Sequence, residues 1–423
     1  MTVPSIRDLA AWRKQSGPSG IPSVCSAHPL VLEAAMQATL PTSLPLLIEA
    51  TCNQVNQAGG YTGMTPDDFR AMVESIAERA SFPLERLILG GDHLGPNPWK
   101  ALDAEAAMDK AETMIRAYAA AGFTKLHLDC SMGCAGEPIA LDDADTAARA
   151  ARLAKAAEEA STSQPPVYII GTEVPVPGGA LEAIEGLEVT SPAAVRETVE
   201  VHRRAFLEAG LEDAFERVIA AVVQPGVEFG NHNVVVYDSS EARALSQTLD
   251  DLPGLVFEAH STDYQPPSAL GALVEDGFAI LKVGPGLTFA LREALYGLDM
   301  IATELYPGSS RQSLRDTMEA VMLASPDNWQ KYYEGSEHEQ AMLRHFSYSD
   351  RIRYYWPAAD AKAAVDALLQ QLDGVEIPEP LIAQYLGGLL KTVRNKTVAP
   401  RARDLLFAAI GDVMKDYIDA CKG

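Results

Sequence analysis

Histidines and carboxylates recur in this chain at the ends of short β-branched runs, where a closed sheet would gather them. Leu89-Gly90-Gly91-Asp92-His93-Leu94-Gly95-Pro96-Asn97-Pro98 puts an imidazole beside a carboxylate. Its glycines allow close backbone approach and its prolines stiffen the loop. An imidazole so placed is a metal ligand or a general acid/base; a buried histidine satisfied by its neighbours is the plain alternative. His93 has company, since Glu173 ends a later run and His260 another. Two imidazoles and a carboxylate from alternate strands suit Zn²⁺ or Mn²⁺ and leave positions open for substrate oxygens. His232, in Gly230-Asn231-His232-Asn233, is the candidate fourth ligand. No HExxH pair occurs, so the expected metal centre rests on fold placement alone.

Other segments offer proton transfer and recognition. Leu126-His127-Leu128-Asp129-Cys130-Ser131 alternates as a strand does, so His127 and Asp129 share a face, with Asp129 nearer the strand end. Asp129 there could act as a proton-transfer base, or cap the following loop through Ser131. Asp92 is the second carboxylate placed for proton transfer. Lys282-Val283-Gly284-Pro285-Gly286-Leu287-Thr288 leads from a strand through a glycine-rich turn into a helix. Gly284, Gly286 and Thr288 would seat a phosphate at that helix start, with Lys282 at the strand end; a tight turn without ligand is the alternative. Asn53, Gln54 and Asn56 form an amide-dense stretch suited to sugar hydroxyls. Arg351 and Arg353, among the aromatics of Ser347–Trp356, read either as a lid offering guanidinium to phosphate or as a packed, snorkelling surface. Neither GxGxxG opening a βαβ unit nor GxxxxGK[ST] occurs, which weakens dinucleotide-binding and P-loop kinase readings.

The elements that must position these groups are eight apolar runs: Pro22–His28, Leu44–Thr51, Leu87–His93, Lys125–Ser131, Val167–Glu173, Val218–Gly226, Leu255–Ser261 and Phe278–Gly284. Amphipathic, Ala-rich segments separate most of them. Eight strand–helix alternations predict an α/β fold, a (β/α)8 TIM barrel, whose functional groups sit at the C-terminal ends of the strands. Those ends carry His28, Asn53, Asp92, His93, Asp129, Glu173, His260 and Lys282. Thr65-Pro66-Asp67-Asp68 and Ser191-Pro192 are helix starts with an N-cap residue and Pro at N1. Strand signals stop near Leu305-Tyr306-Pro307-Gly308, so the expected division is a barrel with a short leading helix over 1–305 and a helical extension over 306–423.

With 58 Asp plus Glu against 34 Lys plus Arg, the net charge is −24, a surface that repels nucleic acid and anionic lipid. The first residues lack a basic-then-apolar leader and no run approaches the roughly 20 apolar residues of a membrane span. The 5 cysteines are odd in number and lack a zinc-ribbon spacing, which fits free thiols in a reducing cytoplasm.

Four strings together resemble one family: Cys52–Met64, Gly90–Pro96, His127–Met132 and Ser347–Trp356. It is the Z-type subunit family of class II D-tagatose-1,6-bisphosphate aldolase, and the resemblance runs along essentially the whole chain. It implies one of two functions. Some members are D-tagatose 6-phosphate 4-epimerases; others are accessory subunits that support a separate class II aldolase catalytic subunit. The first implies a phosphorylated ketohexose as substrate and the second a protein partner; a homo-oligomer is compatible with both. C4 of a 2-ketose is not adjacent to the carbonyl, so simple deprotonation cannot invert it. Retro-aldol cleavage of C3–C4, rotation of the aldehyde and re-addition can, given a divalent cation and a base. On this reading His93, Glu173 and His260, with His232, hold the metal and Asp129 is the base. The competing class is an interaction protein whose working surface is the helical extension.

Overall fold

Ten strands appear in the computed structural model, which describes residues 5–162, 164–172 and 187–422. They are β1 Ile21–Val24, β2 Leu46–Thr51, β3 Leu87–Leu94, β4 Lys125–Leu128, β5 Val167–Ile170, β6 Val218–Val222, β7 Glu228–Phe229, β8 Val234–Val235, β9 Val256–Ala259 and β10 Phe278–Val283. Eight of them close a parallel barrel in the order β1-β10-β9-β6-β5-β4-β3-β2, which is the predicted (β/α)8 architecture. β7 and β8 form a separate antiparallel hairpin after β6 that the sequence reading did not anticipate. Two residues per strand is too short a run for period-two alternation to register.

Barrel strands are buried on both faces, and the two faces differ. In β2, Leu46, Ile48 and Ala50 join the apolar layer between strands and helices, while Leu47 and Glu49 alternate to the other face. Leu47, Ile21, Val167, Ile169 and Ile280 form a second apolar cluster with Ile6 and Leu9 of the leading helical segment. That segment, Ile6–Asp8 and Leu9–Ser16, thus contributes to the barrel's interior packing. Above this apolar layer the interior turns ionic, with Glu49, Lys125 and Glu258 wholly buried.

Beyond the helix Pro285–Leu305 every regular element among the described residues is helical. The helix Ala402–Cys421 packs on the helices Pro29–Thr39, Pro267–Glu275 and Pro285–Leu305, and its Leu405, Leu406, Ile410 and Met414 share one apolar cluster with the barrel's outer layer. Tyr417 Oη donates to the Thr262 carbonyl at 2.7 Å, tying this last helix to the loop after β9. All five cysteines carry free thiols. Among the described residues, no helix is long and apolar enough to cross a membrane.

Candidate active site at the barrel mouth

The site starts from a fault in β3. Gly90 and Gly91 pair with Lys125 and Leu126, but the next partner of β4 is Leu94, so Asp92 and His93 fall in a bulge. His93 has φ 48°, a left-handed conformation rare for a residue with a side chain. Bulges re-aim side chains, and this one presents Asp92 and His93 at the mouth. Gly95 closes it: a Cβ there would lie 1.7 Å from the Asp129 carbonyl oxygen.

Three imidazoles meet above the ionic layer. The ring centroids of His93, His127 and His260 lie 5.1, 5.0 and 5.2 Å apart, a nearly equilateral triangle. Each ring has one nitrogen beside a carboxylate. His93 Nδ1 is 2.7 Å from Asp129 Oδ2, His127 Nδ1 is 3.0 Å from Asp92 Oδ1, and His260 Nε2 is 2.9 Å from Glu258 Oε1. His127 Nε2, although buried, has no hydrogen-bond partner among the described residues. Asp92, His127, Glu258 and His260 each offer a donor atom within 4.8 Å of the others. Imidazoles bound to one tetrahedral ion at about 2.0–2.1 Å have ring centres roughly 5 Å apart, and ligating histidines are commonly oriented by carboxylates. The donor set therefore fits a divalent cation.

Electrostatics distinguish the three rings. Burial, reinforced by Lys282, lowers His260 to about 3, and burial lowers His127, so both rings are neutral at pH 7. Burial opposes a charged His93, but Asp92 and Asp129 outweigh it and raise its pKa. Burial likewise disfavours the Asp129 carboxylate, yet its hydrogen bond from His93 wins and holds it at about 2. Beneath them, Lys125 Nζ bridges Glu49 Oε2 (2.6 Å) and Glu258 Oε2 (2.8 Å), and Ser23 donates to Glu49 Oε1 at 2.6 Å. Lys282 pairs with Asp92 and lies 3.4 Å from Glu258 Oε1 and from Glu49 Oε1. Burial alone would lower Lys282, but Asp92 and its neighbours raise it well above the usual lysine range. It is a fixed ammonium and not a free amine for Schiff-base chemistry.

A cleft opens over this floor, lined by Asp92, His93, His260 and Lys282 below and by Asn53, Gln54, Tyr61, Arg353 and Tyr354 on the walls. Tyr61 and Tyr354 meet edge to face at 4.9 Å.

The expected site residues divide. Asp92, His93, His260, Lys282, Asn53, Gln54, Gly284 and Arg353 come together in the cleft. Asp129 lies behind His93 as its hydrogen-bond partner and also accepts from Ser131 Oγ at 3.0 Å, much as Asp92 pairs with His127 and Lys282. Asn56 turns into its own loop, accepting from Ala58 N (2.9 Å) and Gly60 N (3.2 Å) and donating to the Cys52 carbonyl (2.9 Å). Arg351 stacks its guanidinium 3.3 Å above the Tyr332 ring and donates to the Asn328 carbonyl. The Thr288 hydroxyl bonds Asp350 Oδ2 at 2.7 Å and faces a neighbouring cavity. The amides of Gly284 and Gly286, expected to seat phosphate, both donate to Asp263 Oδ1. His232 is exposed in the β7–β8 turn, apart from the imidazole triangle. Glu173 lies outside the described residues. His28 caps the helix Pro29–Thr39, its Nδ1 accepting from Leu30 N at 3.3 Å.

Sequence reasoning missed Glu258, Glu49 and Lys125 and left His127 without a role. A signal was present, because each is a polar residue inside an apolar strand: Glu258 is two residues before His260, and Lys125 two before His127. Period two puts such pairs on one face of the strand.

The model of the D-tagatose-1,6-bisphosphate aldolase subunit GatZ/KbaZ-like family matches residues 6–422. The D-tagatose 6-phosphate 4-epimerase of Agrobacterium fabrum (strain C58) is 56% identical over 416 residues, 97% of this chain and 97% of that protein. The crystal structure of a probable tagatose 6 phosphate kinase from Sinorhizobium meliloti 1021 matches with a TM-score of 0.89 at 64% identity, covering 95% of this chain and 100% of that one. The fructuronate-tagaturonate epimerase UxaE from Cohnella laeviribosi gives a TM-score of 0.50 at 12% identity over 99% of this chain and 86% of that one, a likeness of fold alone.

Proposed function

The chain belongs to the GatZ/KbaZ-like family of D-tagatose-1,6-bisphosphate aldolase subunits, and we propose that it is a D-tagatose 6-phosphate 4-epimerase acting by retro-aldol cleavage and re-addition. The observation that carries this reading is the triangle of three carboxylate-held imidazoles at the barrel mouth, two of which, His93 and His260, line the cleft. His127, Glu258 and His260, three of the four groups whose donor atoms converge, would hold a divalent cation, Zn²⁺ or Mn²⁺, with His93 beside them oriented by Asp129. Such a cation, when bound, supplies Lewis-acid polarisation of the ketone.

The chain's own residues do the rest. Asp92, the carboxylate on the cleft floor, takes the proton of the C4 hydroxyl as the C3–C4 bond breaks. The bonding pair stays on C3, giving the enediolate of dihydroxyacetone, and C4 leaves as the aldehyde of glyceraldehyde 3-phosphate. Lys282, a permanent ammonium beside Asp92, lowers the cost of negative charge at this end. The aldehyde turns its other face to C3, the bond re-forms and Asp92 returns the proton, so C4 is inverted with no net oxidation. Asn53 and Gln54 read hydroxyls, and Arg353 takes the 6-phosphate.

The purified chain is expected to convert D-tagatose 6-phosphate to fructose 6-phosphate, followed by coupled enzymes. EDTA should lower the rate by about 10³-fold, and added Zn²⁺ or Mn²⁺ should restore it. Turnover indifferent to EDTA would keep the epimerase and remove the cation. No turnover under either condition would leave the accessory-subunit function and its aldolase partner. Arg353→Met is expected to raise KM for the phosphosugar by about 10–100-fold with little change in kcat, because a charge-assisted pair to phosphate is lost in ground and transition state alike. An equal fall in kcat would place Arg353 at the reacting end instead.

A further inference from the structure

The loop after β9 carries His260, and the far end of the chain helps to hold it. The last paired residues of β9 and β10 are Ala259 and Leu281, so the ladder ends one residue before His260. Beyond it the backbone turns left-handed at Ser261, φ 54°, and again at Tyr264, φ 65°. Neither residue is glycine, and such conformations persist only where the surroundings fix them. Thr262 lies between the two and is wholly buried. Its hydroxyl donates to the Lys282 carbonyl at 2.6 Å, which extends the link between the two strands past the end of their ladder. Its carbonyl accepts from Tyr417 Oη at 2.7 Å, while the Gln265 amide reaches the same oxygen at a longer 3.3 Å.

Tyr417 belongs to the helix Ala402–Cys421, 155 positions from Thr262 along the chain. It is 2% exposed, and burial pushes its phenol well above the usual tyrosine range, so at neutral pH it keeps the proton it donates. Tyr264 is tied in the same way, its Oη donating to the Tyr348 carbonyl at 2.6 Å. Both ties run to the helical extension and not to the barrel. Tyr417 stands outside the cleft lining, whereas His260, Ser261 and Lys282 are within it. We propose that Tyr417 is a positioning residue for the reaction: through the Thr262 carbonyl it fixes the strained loop after β9 and so sets where His260 stands. The helical extension then completes the site it does not line. The inference rests on the reading of the cleft as a cation-assisted epimerase site. Without the phenol, a buried carbonyl keeps only the long Gln265 contact, and the loop has less to hold two left-handed residues in place.

Tyr417→Phe in the full chain removes one hydroxyl and keeps the packed ring. Its kcat on D-tagatose 6-phosphate should fall by about 10–100-fold, because a small displacement of a site group is costly to the chemical step. KM should stay within about twofold, since Asn53, Gln54 and Arg353 are untouched. The Kd for Zn²⁺ or Mn²⁺, read by calorimetry, should weaken by about 10-fold. Amide hydrogen exchange over residues 260–265 of the metal-free chain should quicken, a readout that needs neither cation nor turnover. Tyr237→Phe is the control for a lost buried hydroxyl. Tyr237 Oη is 2.7 Å from Asp276 Oδ2, two residues before β10 begins and so at the opposite end of the barrel. That variant may lose as much Tm, but its kcat, cation Kd and loop exchange should remain those of the wild type. Tyr417→Phe matching Tyr237→Phe in all three readouts would overturn the proposal, as would loop exchange equal to that of the wild type. A wild type with no turnover and no cation, whose loop exchange still quickens in Tyr417→Phe, would instead sink the reading of the cleft and leave the bracing of the loop standing.

Discussion

His260→Ala is expected to give a folded chain that no longer retains a divalent cation and turns over at least about 10³-fold more slowly. His260 directly follows β9, and its ring centroid is 5.0 Å from that of His93 and 5.2 Å from that of His127. Glu258 Oε1 holds its Nε2 at 2.9 Å, which leaves Nδ1 as the nitrogen available to an ion. A ligand must be unprotonated, and the burial that lowers this imidazole to about 3 keeps it so at neutral pH. Removing the ring opens one side of the triangle and leaves Glu258 without its imidazole partner, while the apolar layers that hold the barrel are untouched. Metal content after dialysis, kcat in the coupled assay and far-ultraviolet circular dichroism decide the matter together. Wild-type metal content with wild-type turnover would mean that the cluster is not a cation site.

The second large effect is on stability. Lys125→Met should destabilise the protein by about 3–5 kcal/mol, read as a lowered midpoint of urea unfolding. Lys125 is wholly buried, and its ammonium lies between Glu49 (2.6 Å) and Glu258 (2.8 Å), which are wholly buried as well. Methionine fills nearly the same volume, so packing changes little; what is lost is the countercharge of two carboxylates cut off from water. Ser23 and Lys282 still reach Glu49, and Lys282 still reaches Glu258, which limits the loss. Adding Glu49→Gln to Lys125→Met should recover part of the stability, since one of the stranded charges is then gone. A midpoint unchanged by Lys125→Met would show that the pairing is not needed to keep the carboxylates inside. The same pairing supports the site, because Glu258 connects Lys125 to His260.

How far the site was legible depends on the kind of contact. Asp92, His93, His260 and Lys282 were found because strand ends are readable, and in a closed barrel all strand ends of one sense meet at one rim. Glu49, Lys125 and Glu258 were not. Each is a single charge inside an apolar run, and Glu49 and Lys125 are 76 positions apart in the chain. Arg351 and Arg353 sit two apart in one aromatic stretch, yet only Arg353 reaches the cleft lining. Asp350 at φ 44° starts a tight turn there, and in a turn a two-residue spacing reverses side-chain direction where a strand would preserve it.

By itself, then, the sequence determined the alternation of strands and helices, the barrel they build and the polar residues at its rim. Apolar periodicity and turn chemistry are local properties, written within a few residues of where they act. Only the tertiary structure decided which polar groups meet: three imidazoles from β3, β4 and β9, a lysine bridging two glutamates across the interior, and an aspartate seated in the amides expected to hold phosphate. Those meetings follow from how the strands stagger as the barrel closes and from the bulge at Asp92 and His93. Stagger is a relation between strands far apart in the chain, and no single run of residues contains it.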